Sequence, residues 1–367
     1  MTGKDFLSCA NPGVVGLAPY QPGKPVEELE RELGISDAVK LASNENPLGP
    51  PPAVRRFLAE CPLDLARYPD GNGFRLKRAL AERFGIAPDR ITLGNGSNDV
   101  LELVARVFLQ PGRSAVFSEH AFAVYPIVTQ ATGAEAHVAP ASDHGHDLDA
   151  MRARITNDTR VVFIANPNNP TGTWLDAASL ERFLTSVPED VVVVLDEAYV
   201  EYVEAPEYPD SLPWLERFPN LVVTRTFSKI HGLAGLRVGY ALSSPQIADL
   251  LNRVRQPFNV NALAQEAALL ALEDEAHVAR SRANNREGMA FWEGALTGMG
   301  LAWIPSVGNF ITVDLGRPAA PVNEALLREG VIVRPVANYG LPNHLRITIG
   351  RPEENERAAV VLRKVLA

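Results

Sequence analysis

Two cysteines, Cys9 and Cys61, are all the chain offers in 367 residues. That is too few for a disulfide framework, and their spacing is not that of a metal knot. Excess positive charge is also missing: the formal net charge is −9. A chain of that sign lacks the basic face by which proteins grip a phosphate backbone, so no nucleic-acid partner is expected. No run approaches the roughly 20 apolar residues of a membrane helix, so no membrane span is expected. The opening "MTGKDFLSCANPG" has no apolar leader, which predicts a cytoplasmic protein. The motifs Asn95-Gly96-Ser97 and Asn157-Asp158-Thr159 are then not glycosylation sites. Repeats and low-complexity tracts are absent as well.

Lysine is scarce too. Of 35 basic residues only six are lysine, and Lys229 is the only one between Lys77 and Lys364. Arginine serves as a surface cation equally well, but it keeps its proton; a partly desolvated lysine can lose one and become a nucleophile. Lys229 therefore suggests amine chemistry, although an ordinary ion pair would also account for a single lysine.

What the chain has is apolar content, 46% of residues, enough for a sizeable core. Residues 1–40 read as an arm, rich in proline and glycine with one short charged helix, "VEELERELG". Residues 41–255 alternate β-branched apolar runs with helical stretches: "RITLGNG", "SAVFSEH", "TRVVFIANPNNPTG", "DVVVVLDEAYV" and "NLVVTRTFSK". This predicts an α/β fold, a mainly parallel sheet sandwiched by helices. Residues 256–367 predict a smaller α+β C-terminal domain, with one long helical region over about 260–298 followed by "GNFITVDL", "GVIVRPV" and "HLRITIG".

Each run of the larger region ends in polar or reactive residues: Gly96-Ser97, Asn169, Asp196 with Tyr199, and Ser228-Lys229. Ligands of open α/β sheets sit at the carboxyl ends of the strands, so these ends are expected to converge on one pocket. Asp196 follows five apolar residues and needs a cationic or hydrogen-bonded partner. A pyridinium nitrogen would serve, and so would a helix N-terminus that the acid caps. "GNGSND" could offer the N–H groups of Ser97 and Asn98 to a phosphate, or could be a plain helix start. "NPNNPTG" is a proline-fixed turn that projects Asn169. "DHGHDLD" (143–149) reads as a solvated loop rather than a metal site, and His231 as packing near Lys229; no metal is expected.

Taken together, "NPNNPTG", "DEAY", "TFSK" and "GLRVGY", in that order, resemble the pyridoxal-phosphate-dependent aminotransferases of fold type I. The likeness runs from "LASNENPLGP" to "HLRITIG". It implies pyridoxal 5'-phosphate tied to Lys229, with Asp196 at the pyridine nitrogen and Tyr199 and Asn169 at the ring oxygen. It implies Thr226, Ser228, Arg237 and the N–H groups of Ser97 and Asn98 around the cofactor phosphate, and Arg346 on the substrate α-carboxylate. Phe122 would stack on the ring, with Tyr125, one turn on, as the alternative.

Within that superfamily "KLASNENPLGP", "RYPDGNG" and "LRITIG" most resemble the histidinol-phosphate aminotransferases. The resemblance implies transfer of an amino group between histidinol phosphate and 2-oxoglutarate in a homodimer. Tyr20, Tyr68 from the partner subunit, Arg334 and Arg346 would surround the substrate phosphate, with Asn169 beside them. Aromatic amino-acid transamination, threonine-phosphate decarboxylation and a non-catalytic cofactor sensor share most of these motifs.

Overall fold

Five apolar runs set the architecture. The computed structural model describes residues 6–19 and 23–367; Tyr20, expected near the substrate, lies outside them. Seven strands form the larger sheet: β1 (Ile91–Gly94), β2 (Ser114–Ser118), β3 (Glu135–Ala139), β4 (Thr159–Ala165), β5 (Val192–Asp196), β6 (Leu221–Thr226) and β7 (Gly239–Ser243). Their order is β1-β7-β6-β5-β4-β2-β3. All neighbours pair parallel except β7, which runs antiparallel to both β1 and β6. The expected mainly parallel sheet is present.

Alternation along the central strands explains their unbroken hydrophobicity. Val161 and Phe163 of β4, with Val192 and Val194 of β5, pack into one apolar layer. Val162 and Ile164, with Val193 and Leu195, pack into the layer on the opposite face. A strand buried on both sides has no solvent face to be polar on. Each such side chain contributes roughly 1.5–3 kcal/mol on burial. Val194→Asp would place an unpaired carboxylate among fully buried neighbours and break the sheet.

Two strands escaped the sequence reading. β3 is an edge strand whose residues are mostly exposed, so it carries no continuous apolar run. β7 is short and begins inside the loop motif "GLRVGY", whose last two residues are its first. The helical region expected over 260–298 is two helices, Ala262–Glu273 and Glu275–Met299. Asp274 separates them and caps the second, accepting from the His277 N–H at 2.8 Å.

A second sheet, β8 (Ala302–Ile304), β9 (Phe310–Asp314), β10 (Arg334–Val336) and β11 (Leu341–Thr348), is antiparallel in the order β8-β9-β11-β10. Its apolar face packs with Trp292, Leu296 and Leu362, and Trp292 donates from Nε1 to Asn355 Oδ1 at 3.0 Å. The charged N-terminal helix is Val26–Leu33, stopped by Gly34 in the left-handed region. Leu29 on that helix packs with Ala42 and Ile332, and Val39–Lys40 pairs with Val331–Ile332. The chain therefore crosses from this two-stranded pair into the mouth of the larger sheet at residues 41–46.

Candidate active site

The carboxyl ends of β1, β4, β5 and β6 meet at a cavity of about 180 Å³. Its lining includes Ser97, Asn98, Phe122, Asn169, Asp196, Tyr199, Thr226, Ser228, Lys229, Arg237, Arg334 and Arg346. Twelve of the fourteen residues singled out from the sequence thus share one space. The other two are Tyr20 and Tyr68. Tyr68 is 82% exposed and lies flat on Phe258, with centroids 4.6 Å apart, outside this lining.

One end of the cavity is built for an anion. The helix Ser97–Phe108 begins there, and its cap residue Gly96 supplies no side-chain acceptor, so the first amides face the cavity. A Cβ on Gly96 would sit 2.5 Å from Arg237 Nη2, and one on Gly239 would sit 2.5 Å from Ser97 N. Only glycine lets the helix start and the guanidinium approach this closely. Arg237 itself has φ 58° and donates to Ala234 O at 3.1 Å. Thr226 Oγ1 accepts from Ser228 N at 3.1 Å, which folds the β6 end back toward Arg237.

At the base lies Asp196, buried and held by two donors, Tyr125 Oη at 2.9 Å and Thr224 Oγ1 at 3.0 Å. Burial raises its pKa, and the two hydrogen bonds oppose that. Tyr125 is packed face to face with Phe163 at 4.8 Å, behind the cavity wall. Of the two candidate stacking residues, then, Phe122 lines the cavity, while Tyr125 orients the acid.

Lys229 donates from Nζ to Ser43 O at 3.2 Å and stands 5.5 Å from the centre of the Tyr199 ring. Burial brings its pKa down to about 8, and the charges of Arg346 and Arg237 push the same way. Tyr199 is pushed up to about 12, chiefly by burial, so it keeps its proton at neutral pH.

The "NPNNPTG" turn is buried rather than on the surface. Asn168 closes it, donating to His120 O at 3.1 Å and to Thr171 Oγ1 at 2.8 Å. Asn169 Oδ1 accepts from Arg346 Nη1; since guanidinium only donates, the amide NH₂ of Asn169 is turned away from Arg346. Arg346 also donates to Ala42 O at 2.7 Å. Arg334 and Arg346 are register partners on β10 and β11, both buried. Like charges directly opposite repel, and an anion between them relieves that repulsion.

The residues missed from the sequence come from the crossing segment. Ser43 and Asn44 line the cavity, and Asn44 Nδ2 donates to Tyr199 Oη at 2.9 Å. The polar run "SNENP" was visible, but nothing local says where its side chains go.

Histidines elsewhere serve packing. His231 is buried against the Phe227 ring at 5.0 Å, and burial brings its pKa down to about 4. In 143–149, His146 donates from Nε2 to Ala165 O at 2.9 Å, and Asp147 caps the helix Leu148–Ala153. Among the described residues no cluster of three or more histidine, cysteine or carboxylate ligands is placed to hold a metal.

A desolvated lysine, a buried acid and an anion cradle disposed around one aromatic wall suit a pyridine aldehyde bearing a phosphate. The glycine-lined cradle is the feature that tests the fit: it leaves room at the helix start where a side chain would fill it. The fold and site define a pyridoxal-phosphate-dependent enzyme. A family model, "Aminotransferase class I and II", matches residues 36–362, and the chain belongs to that family. It is 65% identical to histidinol-phosphate aminotransferase 2 of Pseudomonas fluorescens, over 99% of both chains. It is 64% identical to the protein of that name from Pseudomonas aeruginosa, again over 99% of both. Among solved structures, histidinol-phosphate aminotransferase from Sinorhizobium meliloti in complex with pyridoxal-5'-phosphate superposes with a TM-score of 0.90 at 29% identity, covering 97% of this chain and 96% of that one.

Proposed function

We propose that the protein is a histidinol-phosphate aminotransferase, moving an amino group between histidinol phosphate and 2-oxoglutarate. The observation that carries this reading is the second anion site: Arg334 and Arg346 face one another inside the cavity whose other end is the cradle of Arg237 and the Ser97 helix. One anion site suits the cofactor phosphate. The arginine pair suits a substrate acid, phosphate in one half-reaction and dicarboxylate in the other. The relatives named above support the particular substrate.

Pyridoxal phosphate, when bound, supplies the aldehyde that takes up the amine and the ring that accepts an electron pair. The protein does the rest. Lys229, neutral more readily than a surface lysine, would hold the cofactor through its amine and would move the proton at the substrate Cα. Asp196 would keep the ring nitrogen protonated, with Tyr125 and Thr224 holding the carboxylate in place. Tyr199 and the NH₂ of Asn169 would donate to the ring oxygen, and Phe122 would cover the ring face. Arg346 would orient the substrate acid, and Asn169, which accepts from Arg346, would link it to the cofactor.

The domain reading follows the same division: an arm to residue 40, a cofactor-binding region over 41–255 and a smaller region over 256–367. Tyr68, exposed on its own chain, is assigned to the partner's cavity in a cytoplasmic homodimer. Sedimentation of the wild type should give a dimer, and mixing inactive Lys229→Ala with inactive Tyr68→Ala chains should restore turnover. Purified enzyme should be yellow, and histidinol phosphate should bleach that colour while 2-oxoglutarate restores it. No half-reaction with histidinol phosphate, alongside turnover of phenylalanine or threonine phosphate, would overturn the substrate and leave the cofactor chemistry standing.

A further inference from the structure

Tyr199 can either donate or accept through its hydroxyl, and the residues around it settle which. Asn44 is almost wholly buried, with φ 54°, a left-handed conformation that asparagine, aspartate and glycine tolerate. Asn309 Nδ2 donates to the Asn44 carbonyl at 3.0 Å and holds the backbone there. Thr348, two residues beyond Arg346 on β11, makes two contacts to the same residue. Its Oγ1 accepts from the Asn44 backbone N–H at 2.9 Å and donates to Asn44 Oδ1 at 3.1 Å.

That pair of bonds fixes the side-chain amide. With Oδ1 committed to Thr348, the NH₂ group is left to face Tyr199, 2.9 Å away. The reverse orientation would leave the buried Thr348 proton with no acceptor among the described residues, at the usual penalty for an orphaned polar group. An amide NH₂ only donates, so the Tyr199 oxygen accepts from Asn44 and its own proton must point elsewhere.

We infer that Asn44, oriented by Thr348, is a positioning residue that makes Tyr199 an obligatory donor to the ring oxygen of the bound cofactor. The inference rests on the cofactor reading above and extends it to a residue of the crossing segment. Through Thr348 the same clasp ties that donor to the strand bearing Arg346.

The test is a pH titration of the bound cofactor's visible absorption. A donor at the ring oxygen draws off negative charge and loosens the neighbouring proton. Losing it with Tyr199→Phe should raise the titration midpoint, by about one pH unit for a bond to a charged group. Asn44→Asp keeps shape and backbone conformation but replaces the donor with an acceptor, which draws the Tyr199 proton away from the cofactor. It should raise the midpoint by at least half as much, lower kcat about tenfold and leave the KM for glutamate nearly unchanged.

In the Tyr199→Phe background, Asn44→Asp should move the midpoint by less than a third of its effect alone. Thr348→Val, which frees the amide to turn, should shift it the same way and less, and only when Tyr199 is present. Equal shifts with and without the Tyr199 hydroxyl would mean that the new carboxylate acts as a bare charge, and the inference falls. Should Asn44→Asp not fold, Thr348→Val decides alone: no shift overturns the inference. A wild-type protein without any cofactor band would defeat the cofactor reading and this inference together; failure with histidinol phosphate alone would leave it intact.

Discussion

The two ends of the cavity are built differently. The cofactor end comes from strand termini of one mainly parallel sheet, with each functional residue at most a few positions beyond an apolar run: Ser97 after β1, Asp196 closing β5, Lys229 after β6. The other end is assembled from segments hundreds of residues apart, with Asn169 and Ala42 both meeting Arg346. Chemistry common to many substrates sits on the rigid sheet. On the proposed reading, recognition of a particular substrate falls to a smaller sheet and a crossing segment, whose geometry depends on how the chain packs back on itself.

The sharpest way to break this contrast is Lys229→Arg. Guanidinium keeps its proton, so turnover should fall on the order of 10⁴-fold or more, and borohydride should no longer fix cofactor to the chain. Normal activity with retained colour would refute the assignment.

Next in size is Asp196→Asn. It leaves the anion cradle intact but removes the charge at the base, and should lower kcat on the order of 10²–10³-fold with little change in substrate KM. Arg346→Lys should do the reverse. It loses the planar fork shared between substrate and Asn169, cutting kcat/KM about 10²-fold, mainly through KM, for both substrates. The cofactor spectrum should stay in place. If either variant produced the other's signature, the division of labour between the two ends would be wrong.

The smallest effect is one of pH on the cofactor-free protein. Lys229 has its pKa lowered from 10.5 to about 8, so between those values the unfolded chain binds the extra proton. Stability should therefore rise with pH across that window and be flat below it. Urea unfolding at pH 7.5 and 10 should show the rise in the wild type and a smaller one in Lys229→Met. The rate at which cofactor attaches should climb about tenfold per unit toward pH 8 and then level off. A lysine titrating near 10.5 would show no such rise in stability, and its attachment rate would go on climbing past pH 8.

Legibility followed the same line between the two ends. β4, β5 and β6 were readable because strands buried on both faces are continuously apolar, and their polar ends stand out against that background. The edge strand β3 was not, because it has no apolar run to read. The break at Asp274 was missed because helix-forming residues continue on both sides of it; the capping bond to His277 marks it only in the folded chain. Phe122 and Tyr125 lie one helical turn apart. Which one faces the cavity depends on Phe163 and Asp196 taking Tyr125 to themselves.

By its own order of residues, the chain determined an amine at a strand end, an acid behind it, a glycine-rich helix start and a parallel sheet to carry them. These are local matters of side-chain chemistry and hydrophobic period, which neighbouring residues suffice to specify. Only the folded chain decided that Arg334 would lie opposite Arg346, that Asn169 would turn its carbonyl to a guanidinium, and that Asn44 would clasp Tyr199. Hydrogen-bond direction between distant segments is set by packing, and no spacing along the sequence encodes it.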